Sequence, residues 1–429
     1  MEILTSYNLI IEASVIIILS FFFGELSRKT NIPSVLMLIV LGIVLKFGLD
    51  AVGGGEIDFF PILEILGIVG LIMIVLEAAL ELKLHRDKYI PIAKALVIAL
   101  VGLIASTYVA ALILHQFIPG MSMSAAWLYA TPLSILSSAI IIPSVVGLSE
   151  SKKEFHIYES TFSDIAGIML FYFLTGQIDA AEHSSGVAGF FGNLVLTIVL
   201  SLVASYLIIL IFQNIKTHAK LFLLIAVLLL LYAVGKKLHL SSLIIILIFG
   251  LVIANMKLFF RGALARWLHI EKASHIYEGL HVVTLETAFV VRTFFFVIFG
   301  LTISLASLAS VNVAIVSLLI ILSIYAIRYV IFRVSLGKDI LPQLFIAPRG
   351  LITVLLFYAI PAEVQVAGFE PGILLFIIIG TSLIMTFALI WDKRRTGTAV
   401  RKAESTPIGF EEWKAPQVME VAKAEDGKH

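Results

Sequence analysis

Thirteen stretches of this sequence are each long and apolar enough to cross a lipid bilayer, and that repetition constrains the fold more than any other feature. They cover residues 8–27, 33–49, 59–82, 92–117, 122–148, 157–178, 187–212, 218–235, 240–258, 281–304, 309–334, 340–361 and 371–391. A helix needs about 17–25 mostly apolar residues to span the hydrocarbon core. The runs do not alternate, so they read as helices and not as the roughly ten-residue strands of a membrane barrel. Composition agrees: 60% of the 429 residues are hydrophobic and 14% charged, against roughly 45–50% and about 25% in soluble domains. That excludes a cytoplasmic enzyme. The absence of cysteine excludes disulfide scaffolds, thiolate metal sites and thiol catalysis. A net charge of +1 gives no reason to expect nucleic acid as a partner.

Loop charge sets the expected orientation. Alternate loops carry Arg28 and Lys29; Lys83, Arg86, Lys88 and Lys94; Lys152 and Lys153; Lys216 and Lys220; Lys257, Arg261, Arg266 and Lys272; Arg333 and Lys338. The opposite loops carry Asp50, Glu56, Asp58, Asp179, Glu182, Glu363 and Glu370, with Lys46, Lys236 and Lys237 as their only bases. The N-terminus is therefore expected outside and the C-terminus in the cytoplasm. The first span carries Glu12 and lacks a basic leader, so it reads as a retained helix and not a signal peptide. With no targeting segment, the expected location is a prokaryotic inner membrane. The tail 392–429 is polar, basic and too short for a nucleotide-binding domain. The loop 259–280, with Leu264, Trp267 and Leu268 among bases, reads equally as an interfacial helix or an ordinary loop.

Three bases have no loop to occupy: Arg292, Arg328 and Arg349, in the tenth, eleventh and twelfth spans. A charge at the bilayer centre costs at least about 2.5–3.5 kcal/mol, so each must face a partner or water. The acids at membrane depth are Glu12, Glu64, Glu77, Glu159, Asp164 and Glu286. In the sixth span, helical spacing places Ser160, Ser163, Asp164 and Gly167 on one face, with Glu159 beside them. A carboxylate with hydroxyls nearby offers hard oxygen ligands to a small cation. The same carboxylate can take a proton instead, which is the minimum machinery for exchange. The competing reading is a structural ion pair between Asp164 and one of the three arginines. The histidines His115, His156, His239, His269, His275 and His281 fall at span ends or in loops and read as solvated interface residues.

Two spans contain helix-breaking sequence. The fifth holds Pro132, Ser134, Ser137, Ser138 and Pro143, and the twelfth holds Pro348, Arg349 and Gly350. Proline removes a backbone donor, and broken backbone survives in a membrane only where protein buries it or it lines a cavity. Spans five and twelve occupy equivalent places in two inverted six-span repeats around a seventh, linking span. The expected organisation is a membrane domain 1–391, with 8–178 and 218–391 as repeats and 187–212 as the link. Interrupted helices in corresponding places point to a midplane transport site.

At these residues the chain resembles the cation/proton antiporter superfamily, most closely its sodium/proton exchanger branch, over about 8–391. Glu159-Ser160-x-x-Ser163-Asp164 is similar to the family's Glu-Ser-x-x-Asn-Asp in the sixth of thirteen helices. Pro348-Arg349-Gly350 resembles its Leu-Arg-Gly, Leu76-Glu77-Ala78-Ala79-Leu80-Glu81 its Leu-Glu-x-Gly-Leu-Glu, and Phe294 to Gly300 its aromatic run. Leu136-Ser137-Ser138-Ala139-Ile140 is closer to the Ser-Ser-Thr-Ala-Ile of the potassium-efflux branch. Ser163 replaces the usual asparagine, the exchangers' Thr-Asp-Pro is missing, and Arg292 stands where exchangers often carry an acid.

The resemblance implies an all-α polytopic fold of two inverted repeats with crossed broken helices. It implies Asp164 as the cation- and proton-binding residue with Ser160 as a ligand, and Glu159 paired with Arg328. Ser163, Ser137 and Ser134 are further oxygen candidates, and Arg349 is expected to compensate charge at the broken helices. With Glu159 held by Arg328, one titrating aspartate gives an electroneutral exchange of one monovalent cation for one proton. Sodium is expected, with potassium or lithium as alternatives, and no cofactor. The protein is expected among membrane lipid as a homodimer. A channel and an organic-anion/sodium symporter of the same plan are the competing functions; an enzyme is not expected, since no hydrolase or phosphate-binding motif is present.

Overall fold

The computed structural model describes residues 6–30, 33–51, 60–84, 88–145, 147–180, 186–215, 220–237, 242–260, 267–302 and 310–405. The loop residues Glu56, Asp58, Arg86, Glu182, Lys216, His239, Arg261, Leu264 and Arg266 and the tail beyond 405 lie outside them, as do the side chains of Glu12 and Glu64. The described residues are helical throughout, with no strand among them. The helices are α1 (Ser6–Thr30), α2 (Ser34–Ala51), α3 (Phe60–Glu81), α4 (Tyr89–Phe117), α5 (Met123–Ser134), α6 (Ser138–Ser144), α7 (Glu150–Ala180) and α8 (Gly186–Phe212). They continue as α9 (Lys220–Lys237), α10 (Ser242–Ala254), α11 (Met256–Phe259), α12 (Ile270–Thr302), α13 (Val311–Ser335), α14 (Leu351–Tyr358) and α15 (Gly372–Ser405).

Among the described residues, six helical segments are long and apolar enough to cross a membrane, and four shorter apolar helices accompany them. Helices do not map one-to-one onto the expected spans. The fifth is split into α5 and α6, the ninth into α10 and α11, and the twelfth keeps only eight residues of α-helix in α14. The tenth begins eleven residues early, because 270–280 continue into α12 instead of forming a separate surface helix. Outer faces carry apolar side chains: Val97, Val101 and Ile104 on α4, Val195, Val199 and Val203 on α8, Leu318 and Leu322 on α13. In water such faces would be a liability; in a bilayer the lipid is their solvent.

The helices pack in two groups. Helices α2, α3 and α12 lie together with α1, and α3 also packs on α10, which carries α8 and α9. Helix α4 packs on α5, α7 and α13, and α13 packs on α15. The α7 and α14 helices touch α3 across the boundary between the groups. Two glycines fix the crossing of α2 and α12. A methyl on Gly42 would collide with the Val297 carbonyl oxygen, and one on Gly300 with that of Ile39. Both obstacles are backbone and cannot rotate away, so the helices need bare Cα atoms here. Gly42→Ala and Gly300→Ala should each destabilise the protein by about 1–3 kcal/mol, read as a lowered unfolding temperature in detergent; Gly48→Ala, which meets nothing within contact distance, is the control.

Candidate functional site

Two interruptions of the backbone build the site. Helix α5 starts cleanly, with Ser122 Oγ accepting from the Ala125 amide at 3.2 Å. It stops after Pro132, and Ile135 and Ser137 are extended before α6 begins. The second interruption runs from a 3-10 turn at Gln343–Phe345 to the extended Gly350 that opens α14. The two cross in contact: the Ser137 amide donates to the Pro348 carbonyl at 3.0 Å. A side chain at position 350 would strike Ser137 Oγ, so glycine is required at the crossing.

Interrupted helices leave carbonyls without intrahelical partners, and two arginines meet several of these. Arg349, 1% exposed, donates through Nε to the Leu133 carbonyl at 2.7 Å and through Nη1 to that of Ala347 at 3.1 Å. Its own amide donates to Thr381 Oγ1 on α15 at 3.1 Å. The guanidinium thus lies at the negative carbonyl end of α5. Arg328 donates through Nε to the Leu344 carbonyl at 3.1 Å and through Nη2 to that of Gln343 at 3.3 Å. The same side chain forks onto Glu159, Nη1 to Oε1 at 2.7 Å and Nη2 to Oε2 at 2.9 Å. Its plane lies 4.2 Å from the Phe332 ring centroid, a favourable cation–π placement.

His156 departs from the sequence expectation. It is completely buried, and Nδ1 lies 3.1 Å from Glu159 Oε2 while Nε2 has no partner. It sits three residues before Glu159 on α7, so helical spacing could have found it; its position near a span end hid it.

Asp164 is 1% exposed, and neither carboxylate oxygen has a hydrogen-bond partner. The hydroxyl and amide of Ser138, at the start of α6, are close enough to act on it electrostatically without closing a bond of normal geometry. All three intramembrane arginines are committed elsewhere: Arg328 to Glu159, Arg349 to backbone, Arg292 to Glu77 at 3.0 Å. A structural ion pair for Asp164 is therefore not what the packing provides.

The serines divide. Ser163 accepts from the Leu136 amide at 3.0 Å and so ties α7 to the first interruption. Ser160 donates to the His156 carbonyl at 2.7 Å, and Ser134 to that of Ala130 at 2.9 Å. A cavity of about 30 Å³ has Ser134, Ser163, Glu159, Arg328 and Arg349 in its lining, room for a water or two. Asp164 lines a different cavity of about 10 Å³, with Ile74, Val75 and Ala78 of α3, Leu243 and Leu247 of α10 and Ile352 of α14. The expected site residues are thus neighbours on α7 but face two spaces, one within the second helix group and one at the boundary between groups.

A family model described as "Sodium/hydrogen exchanger, transmembrane" matches residues 15–391. No curated protein sequence matches the chain. Among solved structures, the chain is similar to the sodium proton antiporter MjNhaP1 from Methanocaldococcus jannaschii at pH 8. The identity is 19% over 92% of this chain and 98% of that one, with a TM-score of 0.66. An electron-microscopy structure of the same antiporter matches at 18% identity, covering 96% of this chain and 100% of that one, with a TM-score of 0.62.

Removing either member of the buried Glu159–Arg328 pair strands the other charge, at a cost of about 3–5 kcal/mol. Arg328→Gln should lower the unfolding temperature in detergent more than Glu159→Gln does, because it also releases the Leu344 and Gln343 carbonyls.

Proposed function

We propose, from the premise that this chain belongs to the sodium/hydrogen exchanger family, that Asp164 carries a monovalent cation and a proton alternately across the membrane. One observation carries the reading: a carboxylate buried at membrane depth with both oxygens unpartnered and no arginine spared for it. Such a group is held neutral by a proton or charged by a bound cation, and the two exclude each other. The donor set suits a hard cation. Ser160 gives its hydrogen to the His156 carbonyl, which leaves the acceptor capacity of Oγ unspent. Ser163 spends acceptor capacity on the Leu136 amide and is the weaker ligand. Of the hydroxyls in the first interruption, Ser138 stands beside Asp164; Ser134 lines the neighbouring cavity with Ser163 and would join the shell only after the site rearranges, and Ser137 with backbone carbonyls of the interruption completes the available oxygens.

Glu159 is satisfied by Arg328 from one side and His156 from the other, so it stays ionised and takes no part in the proton count. Arg349 neutralises the carbonyl end of α5 and keeps the crossing intact whether or not a cation is bound. One titrating carboxylate then exchanges one cation for one proton, with no net charge moved. In this reading the protein is a homodimer in the inner membrane, N-terminus outside, C-terminus inside, organised as two inverted repeats. Sodium is the proposed cation. Potassium is the second reading, favoured by Ser138 beside Asp164, within the segment similar to the potassium-efflux branch.

In proteoliposomes holding a pH gradient, sodium should collapse the gradient for the wild type and not for Asp164→Asn; lithium and potassium added separately identify the preferred ion. Failure of every monovalent cation to move protons would overturn the antiport reading. Electroneutrality has its own measurement. A potassium-diffusion potential set with valinomycin, used in sodium exchange, should leave the rate unchanged. A net charge moved would couple to about 2.3 kcal/mol per 100 mV and change the rate severalfold.

A further inference from the structure

The cavity that Asp164 faces is closed on one side by a layer of side chains that the exchange chemistry does not use. Ala78 on α3, Leu247 on α10 and Ile165 on α7 line the cavity. One turn further along α3 and α10 stand Leu82 and Leu251, and Tyr158 and Phe162 precede Ile165 on α7. These residues pack into one apolar cluster, with Leu82 and Tyr158 buried and Ile165 shared between cluster and cavity. The Tyr158 and Phe162 rings stack, with centroids 6.3 Å apart and planes at 22°. On all three helices the step runs toward the end that carries Lys83, Lys152 or Lys257. The layer therefore covers Asp164 on the basic face, which the proposed orientation turns to the cytoplasm.

At one point the layer is more than apolar contact. Tyr158 Oη donates to the Lys83 carbonyl at 3.2 Å, so α7, in one helix group, is bonded to the end of α3, in the other. The acceptor is not free to follow a moving α7. Asn255, just after α10, donates through Nδ2 to the Leu82 carbonyl at 2.8 Å and accepts from the Leu84 amide at 2.6 Å. Lys83 is thus pinned on both sides to the group that holds α3 and α10. Apolar contact alone would let the rings slide to another register. The hydroxyl bond selects one register, and that register is the closed one.

We propose that Tyr158 is the gate between Asp164 and the basic face: its ring seals the layer and its hydroxyl latches the layer to the Lys83 carbonyl. An ion reaches Asp164 from that face only after α7 draws the hydroxyl off the carbonyl and parts Phe162 from Leu82 and Leu251. The latch weights the balance between closed and open forms without touching the ion, so Tyr158 is a positioning residue in the exchange. The inference rests on the antiport reading above for what passes the gate; the gate itself is tested without transport.

The chain has no cysteine, so Ala78→Cys places a single thiol in the Asp164 cavity. Its labelling by a charged, membrane-impermeant methanethiosulfonate is followed with the reagent added to the basic face or to the opposite face of membrane vesicles. Tyr158→Phe in this background keeps the ring and removes the latch. Labelling from the basic face should quicken about two- to tenfold, the population shift expected from loss of one hydrogen bond. Labelling from the opposite face should not quicken. Tyr277→Phe is the control. Its hydroxyl donates to the Leu80 carbonyl at 3.2 Å, a like bond at the same end of α3 but within one helix group, and its loss should leave both rates at the parent value. Unchanged labelling in Tyr158→Phe, faster labelling from both faces, or an equal rise in Tyr277→Phe overturns the proposal. Should Tyr158→Phe fail to fold, Asn255→Ala decides: it frees the segment around Lys83 and should quicken labelling from the basic face, and an unchanged rate overturns the proposal. A wild type without cation-driven proton movement is a different result, which defeats the antiport reading and leaves the labelling result intact.

Discussion

Backbone polar groups inside a membrane must find partners within the protein, and the crossing of two interrupted helices is the place where that demand is hardest to meet. Each break exposes carbonyls that lipid cannot satisfy. Here the Leu133 and Ala347 carbonyls go to Arg349, the Leu344 and Gln343 carbonyls to Arg328, and the Pro348 carbonyl to the Ser137 amide. The Leu136 amide goes to Ser163. The two arginines are structural before they are anything else, because without them the crossing would carry unpaired carbonyls at membrane depth.

That commitment shapes the chemistry. Arg328 needs a counter-charge to be tolerated in the bilayer, and Glu159 supplies it with a bidentate fork, the geometry that suits guanidinium and carboxylate. Arg349 has no acid and is balanced by carbonyl dipoles instead. The remaining acid on this face of α7 is left over by subtraction. Asp164 is one residue beyond Ser163, and the 100° step of a helix turns it away from the arginine-lined cavity toward α3 and α10. Five residues along α7 thus separate a carboxylate that is paired from one whose oxygens have no partner, and the single step from Ser163 to Asp164 is what changes the cavity that is faced.

The sequence announces some of this and hides the rest, for identifiable reasons. Apolar runs show that the chain is helical and membrane-embedded, because span length is set by bilayer thickness. Proline and glycine mark where helices stop, so both interruptions are visible at Pro132 and Pro348. Spacing along one helix places Glu159, Ser160, Ser163 and Asp164 together, yet it cannot say that they face two cavities, since that depends on which helices lie on each side. Partners far apart in the chain are invisible to local reading: Arg328 is 169 residues from Glu159, and Arg292 is 215 from Glu77. The first contact is nameable only through a family likeness, and the second not at all, because Arg292 departs from the family pattern. His156 escapes a local reading because a place at the end of an apolar run reads as exposed, whereas α7 extends seven residues beyond that run and packs His156 against Glu159.

The distribution of directional bonds suggests how such a molecule reconciles a rigid site with movement. Within the group that carries the crossing, hydrogen bonds and ion pairs tie α5, α7, α13, the second interruption and α15 into one unit. Within the other group, Ser20 meets Thr293 at 2.6 Å and Glu77 meets Arg292, so it too is cross-linked. Between them, around Asp164, the lining is aliphatic: Ile74, Val75 and Ala78 against Ile165, Ile168 and Ile352. Tyr158 reaches across to the Lys83 carbonyl at 3.2 Å, but at the edge of this boundary, not at its centre. Apolar contact has no preferred direction, so a slide along it exchanges one set of contacts for another and releases the Tyr158 hydrogen bond alone among those named here. A charged Asp164 would resist that slide, because its oxygens would pass through hydrocarbon unpaired. A protonated or cation-bound Asp164 would not. The same aliphatic boundary that leaves the carboxylate without partners is therefore what would forbid the empty, charged form from crossing, and in the proposed exchange that prohibition would be the condition for coupling one ion to the other.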